Sequence, residues 1–361
     1  MCGIAGWIDC RRLCDSAAIM RRMAQTMVPR GPDSGGFYTD DNCALAHRRL
    51  SVIDPARSAQ PMTRKTALDS YTIVYNGELY NTAEIRSELE STGISFTSSG
   101  DTEVLLWAYI TWGEACLDKL NGIYAFAVWQ EKEKQLFLAR DRIGVKPLFY
   151  YEYAGGLIFA SEIKTLLAHP MIEPVIDRDG IAQIMLLGPA RKPGSGIFKG
   201  IRELRPAECA MYCRCGLRKR TYWSLHALPH KETAEETEQH IAYLLTDAIK
   251  RQLVSDVPLC TMLSGGLDSS IISAVAAREF EQSGRQLTTY SIDYKDNDKN
   301  FHSSKFQPDM DAPWIRKMSA FIGSKHINVE VDTPALTDAL ELSTYARDPV
   351  SYTHLTLPTK A

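Results

Sequence analysis

The sequence predicts two consecutive domains: an α+β domain with stacked β-sheets, followed by an α/β domain with a parallel sheet. The length of 361 residues is sufficient for about two domains, each with its own hydrophobic core. From Cys2 to about Trp223, short apolar strands separated by turn residues dominate, with few helices among them. Beyond Glu232, apolar strands alternate with helices, which is typical of a parallel sheet.

The composition indicates a soluble globular protein and argues against several other classes. Apolar residues make up 45% of the chain and charged residues 24%, while the net charge of −3 gives no reason to expect a nucleic-acid or membrane partner. The longest apolar runs are too short to span a bilayer, and the amino terminus lacks the pattern of a secretory signal. The nine cysteines are odd in number and scattered, which fits reduced thiols in the cytoplasm. We interpret Cys209, Cys213 and Cys215 as structural, because no CxxC or histidine completes a metal site.

The cysteine at position 2 is the first candidate for chemistry. Removal of Met1 would place a thiol and a free α-amine on one residue. An α-amine has a pKa of about 8, so it can accept the proton of a nucleophilic thiol near neutral pH. Considered alone, Cys2 is better explained as a small residue that opens a buried strand. The motifs that follow favour the nucleophile.

The amino-terminal domain is predicted to consist mainly of strands. Helices are expected at 16–27, after a capping box at 81–84, and at 101–112 with a stop at Gly113. The strands between them, together with a strand pair within 206–222, imply stacked sheets with helices on the outer faces. Strands are predicted at 36–38, 44–47, 72–75, 122–129, 136–140 and 157–160.

Four polar motifs interrupt this pattern at strand ends and turns. Each has an ordinary structural explanation alone, such as an Asn-Gly turn or an N-cap. Together they supply what a zwitterionic amino acid beside a thiol would need: a guanidinium for its α-carboxylate, carboxylates for its α-ammonium, and donors for an oxyanion. The motifs are Arg30-Gly31-Pro32-Asp33, His47-Arg48-Arg49-Leu50, the predicted strand-to-loop break Tyr75-Asn76-Gly77-Glu78, and Gly100-Asp101.

The segments MCGIAG, RGPD, HRRLSVID, YNGELYN, SGDTEVLL and RDRIGVKPLFY resemble the class II glutamine amidotransferase domain. The resemblance covers about the first 220 residues and implies an N-terminal-nucleophile hydrolase fold, a four-layer αββα sandwich. It implies that Cys2 attacks the side-chain amide of glutamine and that Asn76 and Gly77 form the oxyanion hole. The implied glutamine-binding residues are Arg49, Leu50, Ser51, Val52, Ile53, Asn76, Gly77, Glu78 and Asp101.

The second domain is predicted to begin with an amphipathic helix from Glu232 to about Val254. A buried strand at 257–263 then leads into Ser-Gly-Gly-Leu-Asp-Ser-Ser at 264–270 and a helix at 271–280. Strand, glycine turn and helix N-terminus form a phosphate-binding arrangement, although the Walker lysine is absent. Further strands at 288–294 and 327–331 alternate with helices at 314–321 and 335–346, and 296–310 is predicted to be a mobile loop.

The 264–270 motif resembles the PP-loop of ATP pyrophosphatases. This resemblance implies ATP as a substrate and Mg²⁺ as a cofactor, with Asp268 as the metal ligand. The implied ATP-binding residues are Met262, Leu263, Ser264, Gly265, Gly266, Asp268, Ser269 and Ile292.

The order of the two domains is similar to that of the glutamine-hydrolysing asparagine synthetase family. The resemblance implies that ammonia from glutamine amidates ATP-activated L-aspartate, with β-aspartyl-AMP as intermediate and a homodimer as one compatible assembly. We expect a glutaminase domain at 2–225, a partial synthetase domain at 232–348, and a non-native tail at 349–361. The family's second acidic glycine motif is not found in the chain, so we expect the glutaminase half to be the more complete.

Two other interpretations remain open at this point. The same two domains could serve a different carboxylate acceptor, or the chain could bind glutamine or nucleotide without turnover. The loop at 264–270 argues against a phosphoribosyl-pyrophosphate amidotransferase, which shares only the first domain.

Overall fold

A computed structural model describes residues 1–11, 15–187, 190–305 and 309–348. The chain divides into two compact units. The amino-terminal unit comprises Met1–His226 and also holds Arg347 and Asp348, and the carboxy-terminal unit comprises Ala227–Ala346. The predicted tail at 349–361 lies outside the described residues.

The amino-terminal unit contains twelve strands and six helices among its described residues. A short 3-10 turn at Gly113–Ala115 follows the third helix. The strands are β1 Gly3–Asp9, β2 Ser34–Thr39, β3 Cys43–Arg49, β4 Met62–Lys65, β5 Ser70–Leu79, β6 Gly122–Gln130, β7 Gln135–Arg140, β8 Phe149–Tyr153, β9 Gly156–Ala160, β10 Ile201–Glu203, β11 Glu208–Cys213 and β12 Gly216–Thr221. The helices are α1 Ser16–Thr26, α2 Thr82–Ser91, α3 Asp101–Trp112, α4 Cys116–Lys119, α5 Ile163–Leu167 and α6 Arg178–Leu187.

The strands form two six-stranded antiparallel sheets. The first has the order β10-β8-β9-β1-β3-β2, and the second the order β12-β11-β7-β6-β5-β4. The two strands that carry the predicted nucleophile and oxyanion donors, β1 and β5, therefore lie in different sheets. Both occupy interior positions in their sheets, where neighbouring strands on either side fix their register.

Three hydrophobic clusters define the layers of this unit. One fills the space between the sheets and includes Ile4 of β1 and Val74 of β5. A second packs helix α1, through residues such as Met20, against the outer face of the first sheet. A third packs helix α3, through residues such as Leu105, against the outer face of the second sheet. The four-layer αββα sandwich expected from the resemblance is thereby confirmed.

Two local predictions for this unit are wrong. Strand β5 does not break at Tyr75 but continues through Asn76, Gly77 and Glu78, because each of these residues pairs with strand β6. The predicted capping box of helix α2 is not formed. Asn81 is the N-cap residue, but its side chain does not cap the helix. The side chain instead donates to the carbonyl oxygen of Lys119 at the end of α4 and accepts the N–H of Asn121.

The carboxy-terminal unit has a three-stranded parallel sheet of order β13-β14-β15. The predicted α/β character of this domain is confirmed, and its small core centres on Ala276, Phe280 and Leu287. Among the described helices of the chain, none is long and apolar enough to cross a lipid bilayer. The elements are β13 Cys260–Met262, β14 Thr288–Tyr294, β15 Lys325–Val331, α7 Ala234–Arg251, α8 Leu267–Gln282, α9 Asn297–Asn300, α10 Ala312–Ile322 and α11 Thr333–Arg347.

The strand before the glycine turn is shorter than predicted. Only Cys260–Met262 pairs with β14, and both end residues of this strand are exposed, so the expectation of a fully buried run at 257–263 is wrong. Helix α8 begins earlier than predicted, at Leu267, directly after the glycine pair. The loop predicted at 296–310 contains the short helix α9, and its residues 306–308 lie outside the described residues.

Candidate active site

A cavity of about 120 Å³ lies in the amino-terminal unit at the start of strand β1. Nearly all of the residues predicted for glutamine binding line it, although they come from separate parts of the sequence. The predicted residues in its wall are Cys2, Arg49, Leu50, Val52, Ile53, Asn76, Gly77, Glu78 and Asp101. Ser51 is not among its described lining residues, and its backbone N–H donates to Asp33 Oδ2 at 2.7 Å.

Cys2 lies at the mouth of this cavity, immediately before strand β1. Its half-buried thiol donates a weak hydrogen bond to the carbonyl oxygen of Leu50, with 3.6 Å between sulfur and oxygen. Burial raises the pKa of the Cys2 thiol, while this hydrogen bond and nearby positive charges oppose the rise. The α-amine beside it belongs to Met1 in this structure, and burial lowers its pKa, which favours the neutral form that can accept a proton.

A buried ion pair holds the main chain at Cys2. The Nε of Arg30 donates to the carbonyl oxygen of Cys2 at 2.9 Å, and its Nη1 lies 3.2 Å from a carboxylate oxygen of Glu162. Both side chains are about 95% buried, so the pair is shielded from solvent. The sequence pointed to Arg30 through the RGPD motif, but nothing in it indicated Glu162 as the partner.

The side-chain amide of Asn76 is the most unusual feature of the cavity wall. Asn76 is 1% exposed, and neither its Oδ1 nor its Nδ2 has a hydrogen-bond partner among the described residues. A buried polar group left in this way costs on the order of 1–3 kcal/mol, which a ligand with matching polar groups would recover. The hydroxyl of Ser58, also in the wall, likewise has no hydrogen-bond partner in the part of the chain that the structure describes.

Gly77 follows Asn76 on strand β5 and must be a glycine for steric reasons. A Cβ atom at this position would lie 2.4 Å from the carbonyl oxygen of Ile123 and 2.6 Å from the ring of Tyr75. The absence of a side chain allows strand β6 to approach closely. The same absence leaves the backbone at Gly77 accessible in the cavity wall.

Arg49 ends strand β3 and has its guanidinium anchored to the following loop. It donates to the carbonyl oxygens of Ile53, Asp54 and Pro55 at 2.8–2.9 Å. These bonds use three of the five N–H groups that an arginine carries, so the side chain is oriented and still has donors to offer. The loop at 50–55 is thereby folded over the cavity.

Two carboxylates complete the wall on the side of helix α3. Asp101, the first residue of that helix, accepts hydrogen bonds at Oδ2 from the Tyr75 hydroxyl at 2.9 Å and from the Leu79 N–H at 3.2 Å. Burial raises the pKa of Asp101 to about 6, although the hydrogen bonds from Tyr75 and Leu79 lower it. The negative charge of neighbouring Glu78 adds to the rise. An ammonium group in the cavity would favour the charged form of both carboxylates.

Several residues of this site were missed by the sequence analysis. Gln60 lines the cavity, and its Oε1 accepts a 2.7 Å hydrogen bond from the Tyr75 N–H. This hydrogen bond positions strand β5. Lys146 also lines the cavity and is 6% exposed. It belongs to the RDRIGVKPLFY segment, so a closer inspection of charged residues in the recognised motifs could have indicated it.

The predicted phosphate-binding loop of the carboxy-terminal unit connects β13 to helix α8. Its serines bond within the loop: Ser269 Oγ contacts both the N–H and the hydroxyl of Ser264, at 3.2 and 3.1 Å. Gly265 has a φ of +77°, and a Cβ there would lie 3.0 Å from the carbonyl oxygen of Asp311. This compact turn exposes the N-terminus of a 16-residue helix, which favours an anion.

The remaining residues predicted for ATP lie around this loop. Met262 ends strand β13 and Ile292 lies within strand β14, and both have exposed side chains. The Leu263 side chain is buried, and its N–H donates to Tyr290 O. Asp268 is exposed in the first turn of α8. No cluster of three or more metal-ligating side chains occurs in the part of the chain that the structure describes. A single free carboxylate fits Mg²⁺, which is commonly held by one or two carboxylates together with phosphate oxygens.

Comparison with known proteins identifies two families along the chain. Residues 1–223 match the glutamine amidotransferase domain, and residues 240–359 match the asparagine synthase family. The chain is 48% identical over 350 residues to glutamine-hydrolyzing asparagine synthetase 3 of Bacillus subtilis, covering 96% of this chain and 57% of that protein. It is 34% identical over 300 residues to asparagine synthetase 1 of the same organism, covering 82% of this chain and 46% of that protein.

A third asparagine synthetase also matches most of the chain. Asparagine synthetase B of Escherichia coli is 32% identical over 293 residues, covering 79% of this chain and 47% of that protein. The chain therefore spans about half the length of the curated relatives it matches.

Proposed function

We propose, since the chain belongs to the glutamine amidotransferase domain family, that its amino-terminal unit hydrolyses the side-chain amide of glutamine to glutamate and ammonia. One observation carries this proposal: the Cys2 thiol opens into a cavity whose wall contains the unpartnered amide of Asn76. An amide that is buried without partners and close to a nucleophile is suited to a developing oxyanion, where one donor is worth on the order of 3 kcal/mol.

The proposed reaction begins at the chain terminus. Removal of Met1 leaves the α-amine on Cys2, so that the nucleophile and its base share one residue. The amine takes the thiol proton, and the sulfur attacks the side-chain carbonyl carbon of glutamine. Negative charge forms on the carbonyl oxygen, and the side-chain amide of Asn76 and the Gly77 N–H stabilise it by donating hydrogen bonds. As this intermediate collapses, the C–N bond breaks and the nitrogen takes the proton from the α-ammonium, so that it leaves as ammonia. The thioester that remains is hydrolysed by water to glutamate, which restores the Cys2 thiol.

The remaining wall residues would select glutamine by its α-groups. Arg49, already oriented by the loop at 53–55, has donors left for the α-carboxylate. Glu78 and Asp101, also in the cavity wall, offer carboxylates for the α-ammonium. This arrangement requires both carboxylates to be charged when glutamine is bound.

The carboxy-terminal unit would use the ammonia. The loop at 264–270, together with Met262, Leu263 and Ile292, would bind ATP, and Asp268 would hold Mg²⁺, which neutralises phosphate charge. In this proposal ATP activates the β-carboxylate of aspartate as an acyl adenylate with release of pyrophosphate, and ammonia displaces AMP to give asparagine. The protein would then be a glutamine-dependent asparagine synthetase. We place it in the cytoplasm, as a homodimer, with no nucleic-acid or membrane partner.

Product analysis tests the two halves separately. Purified protein is incubated with glutamine, ATP, Mg²⁺ and aspartate. The products glutamate, pyrophosphate and asparagine are then measured separately. The mass of the amino-terminal peptide shows whether Met1 has been removed. We expect glutamate release that is abolished by Cys2→Ala, whereas Cys10→Ala, which alters an exposed cysteine outside the cavity, should have no effect. Glutamate release that survives Cys2→Ala would contradict the proposal. Pyrophosphate release that requires a carboxylic acid other than aspartate would correct only the acceptor.

A further inference from the structure

Lys146 is a buried lysine in the cavity wall to which no role has yet been given. It is 6% exposed, and it shares the cavity with Cys2, Glu78 and the α-amine of residue 1. Among the described residues, no carboxylate forms an ion pair with its ammonium group. A lysine is rarely buried in this way without a charge partner, because desolvation of the ammonium is costly.

The backbone around Lys146 is held rigidly by two buried charged residues. Arg140 donates to the carbonyl oxygens of Lys146, Gly144 and Leu204 at 2.6–2.8 Å. The Asp141 carboxylate accepts the N–H groups of Val145 and Lys146 at 2.9 and 3.0 Å. These bonds fix the main chain of the loop between strands β7 and β8, and Lys146 lines the cavity from this loop.

Five charged or titratable groups interact electrostatically with this lysine. They are the Cys2 thiol and the α-amine at the start of β1, Arg30 from the turn after α1, Glu78 on β5, and Asp141 in its own loop. Burial lowers the pKa of Lys146, whereas Glu78, Cys2 and Asp141 favour its charged form. The lysine in turn favours a charged Cys2 thiolate and an uncharged α-amine.

We propose that Lys146 is an electrostatic positioning residue of the nucleophile: a fixed positive charge that favours the thiolate of Cys2 and keeps the adjacent α-amine free to accept a proton. The inference rests on the proposed glutaminase function for its purpose, but the effect on the thiol exists without substrate. Lys146 acts through Cys2 and does not itself react. Its contribution matters because burial of the sulfur works in the opposite direction and disfavours the thiolate.

Alkylation of Cys2 tests this inference independently of catalysis. Wild type, Lys146→Met, Lys146→Arg and the control Lys219→Met are treated with iodoacetamide between pH 6 and 10, and modification of the Cys2 peptide is followed by mass spectrometry. Lys219 is exposed and lies outside the cavity lining, while exposed Cys215 and Cys260 serve as internal references. Circular dichroism and the melting temperature of each variant report whether it folds.

We expect Lys146→Met to move the alkylation profile of Cys2 to higher pH by about one unit, which is roughly a tenfold slower reaction at pH 7. The reference cysteines should not change, and Lys146→Arg should retain the wild-type profile because it keeps the charge. The acid limb of glutaminase kcat/KM should move in the same direction. An unshifted Cys2 profile in folded Lys146→Met would overturn the inference, even if glutamine hydrolysis itself is demonstrated. A shifted Cys2 alkylation profile in a protein without glutaminase activity would instead support the electrostatic role of Lys146 and contradict the proposed function.

Discussion

The Tyr75 hydroxyl donates a 2.9 Å hydrogen bond to Oδ2 of Asp101, and this bond joins strand β5 to the first residue of helix α3. Tyr75 directly precedes Asn76, so the bond connects the strand that carries the proposed oxyanion donors with the carboxylate proposed for the α-ammonium. The distance between these two parts of the cavity is thereby set by the packing of α3 on the second sheet, which buries the whole contact.

Asn76→Ala should slow glutamine hydrolysis without lowering the stability of the protein. Loss of an oxyanion donor is expected to lower kcat for glutamine hydrolysis by about 10²–10³-fold with a smaller change in KM. The melting temperature should not fall, because the amide has no partner to lose. Steady-state kinetics and thermal unfolding provide the two readouts.

Asn42→Ala is the matched control for that variant. Its amide donates to the carbonyl oxygen of Asp9 at 3.0 Å, so this substitution should lower stability and leave kcat unchanged. If Asn76→Ala behaves like Asn42→Ala, the role of Asn76 is structural and the oxyanion assignment fails.

Asp101→Asn should stabilise the protein near neutral pH while it impairs glutamine binding. Because the pKa of Asp101 is raised from its ordinary value of 3.8 to about 6, the folded state holds the proton more tightly than the unfolded state. The contribution of protonated Asp101 to the stability of the folded state is therefore present below pH 3.8 and is lost as pH rises through about 6. This rise corresponds to on the order of 3 kcal/mol of the free energy of unfolding.

The measurement for Asp101→Asn is urea unfolding at several pH values, alongside the KM for glutamine. The variant should exceed wild type in stability at pH 7.5 and approach it near pH 4, and the wild-type KM should increase as pH falls below 6. A variant that is less stable than wild type at pH 7.5 would show that the carboxylate is charged and favourably held in the empty site.

Glu162→Ala should destabilise the amino-terminal unit strongly. The substitution leaves the buried guanidinium of Arg30 without its carboxylate, and breaking such a pair costs on the order of 3–5 kcal/mol. Because Arg30 also holds the carbonyl oxygen of Cys2, glutaminase activity should fall as well. Urea unfolding monitored by tryptophan fluorescence measures the first effect.

Glu88→Ala provides the comparison for an exposed pair. Oε1 of Glu88 lies 2.6 Å from Nζ of Lys119, but both side chains are at least 40% exposed. Removal of the Glu88 carboxylate should therefore lower the free energy of unfolding by no more than about 1 kcal/mol. Equal losses for the two variants would mean that burial does not strengthen the Arg30–Glu162 contact.

Alanine substitutions at the two loop glycines should have different consequences. Gly265 has a φ of +77° and no room for a Cβ beside Asp311, so Gly265→Ala should lower the melting temperature. Gly266 has a φ of −78°, and a Cβ there would meet only Ser264 Oγ at 3.5 Å, so Gly266→Ala should fold normally. Thermal unfolding distinguishes them, and a lower melting temperature for Gly266→Ala would contradict this assignment of the turn.

Gly266→Ala should nevertheless weaken nucleotide binding. A methyl group at Gly266, the N-cap residue of helix α8, would obstruct a phosphate that approaches the backbone. Isothermal titration with ATP and Mg²⁺ should show a higher Kd for this variant than for wild type. An unchanged Kd would place the phosphates elsewhere.

The sequence alone predicts the candidate site residues and their order along the chain. Cys2 is indicated by its position directly after Met1, and Arg49, Asn76 and Asp101 are indicated by local motifs at predicted strand ends and turns. The alternation of strands and helices likewise predicted both domains, since periodicity is a property of consecutive residues.

Only the tertiary structure decided which distant residues complete the site. Glu162 meets Arg30 across 132 positions of sequence, and Lys146 enters the cavity because Arg140 and Asp141 hold its loop. Strand β5 continues through Asn76 because β6 pairs with it, although the Asn-Gly pair predicts a turn. Contacts of this kind depend on how sheets and helices pack, and a local pattern contains no information about its partner across the fold.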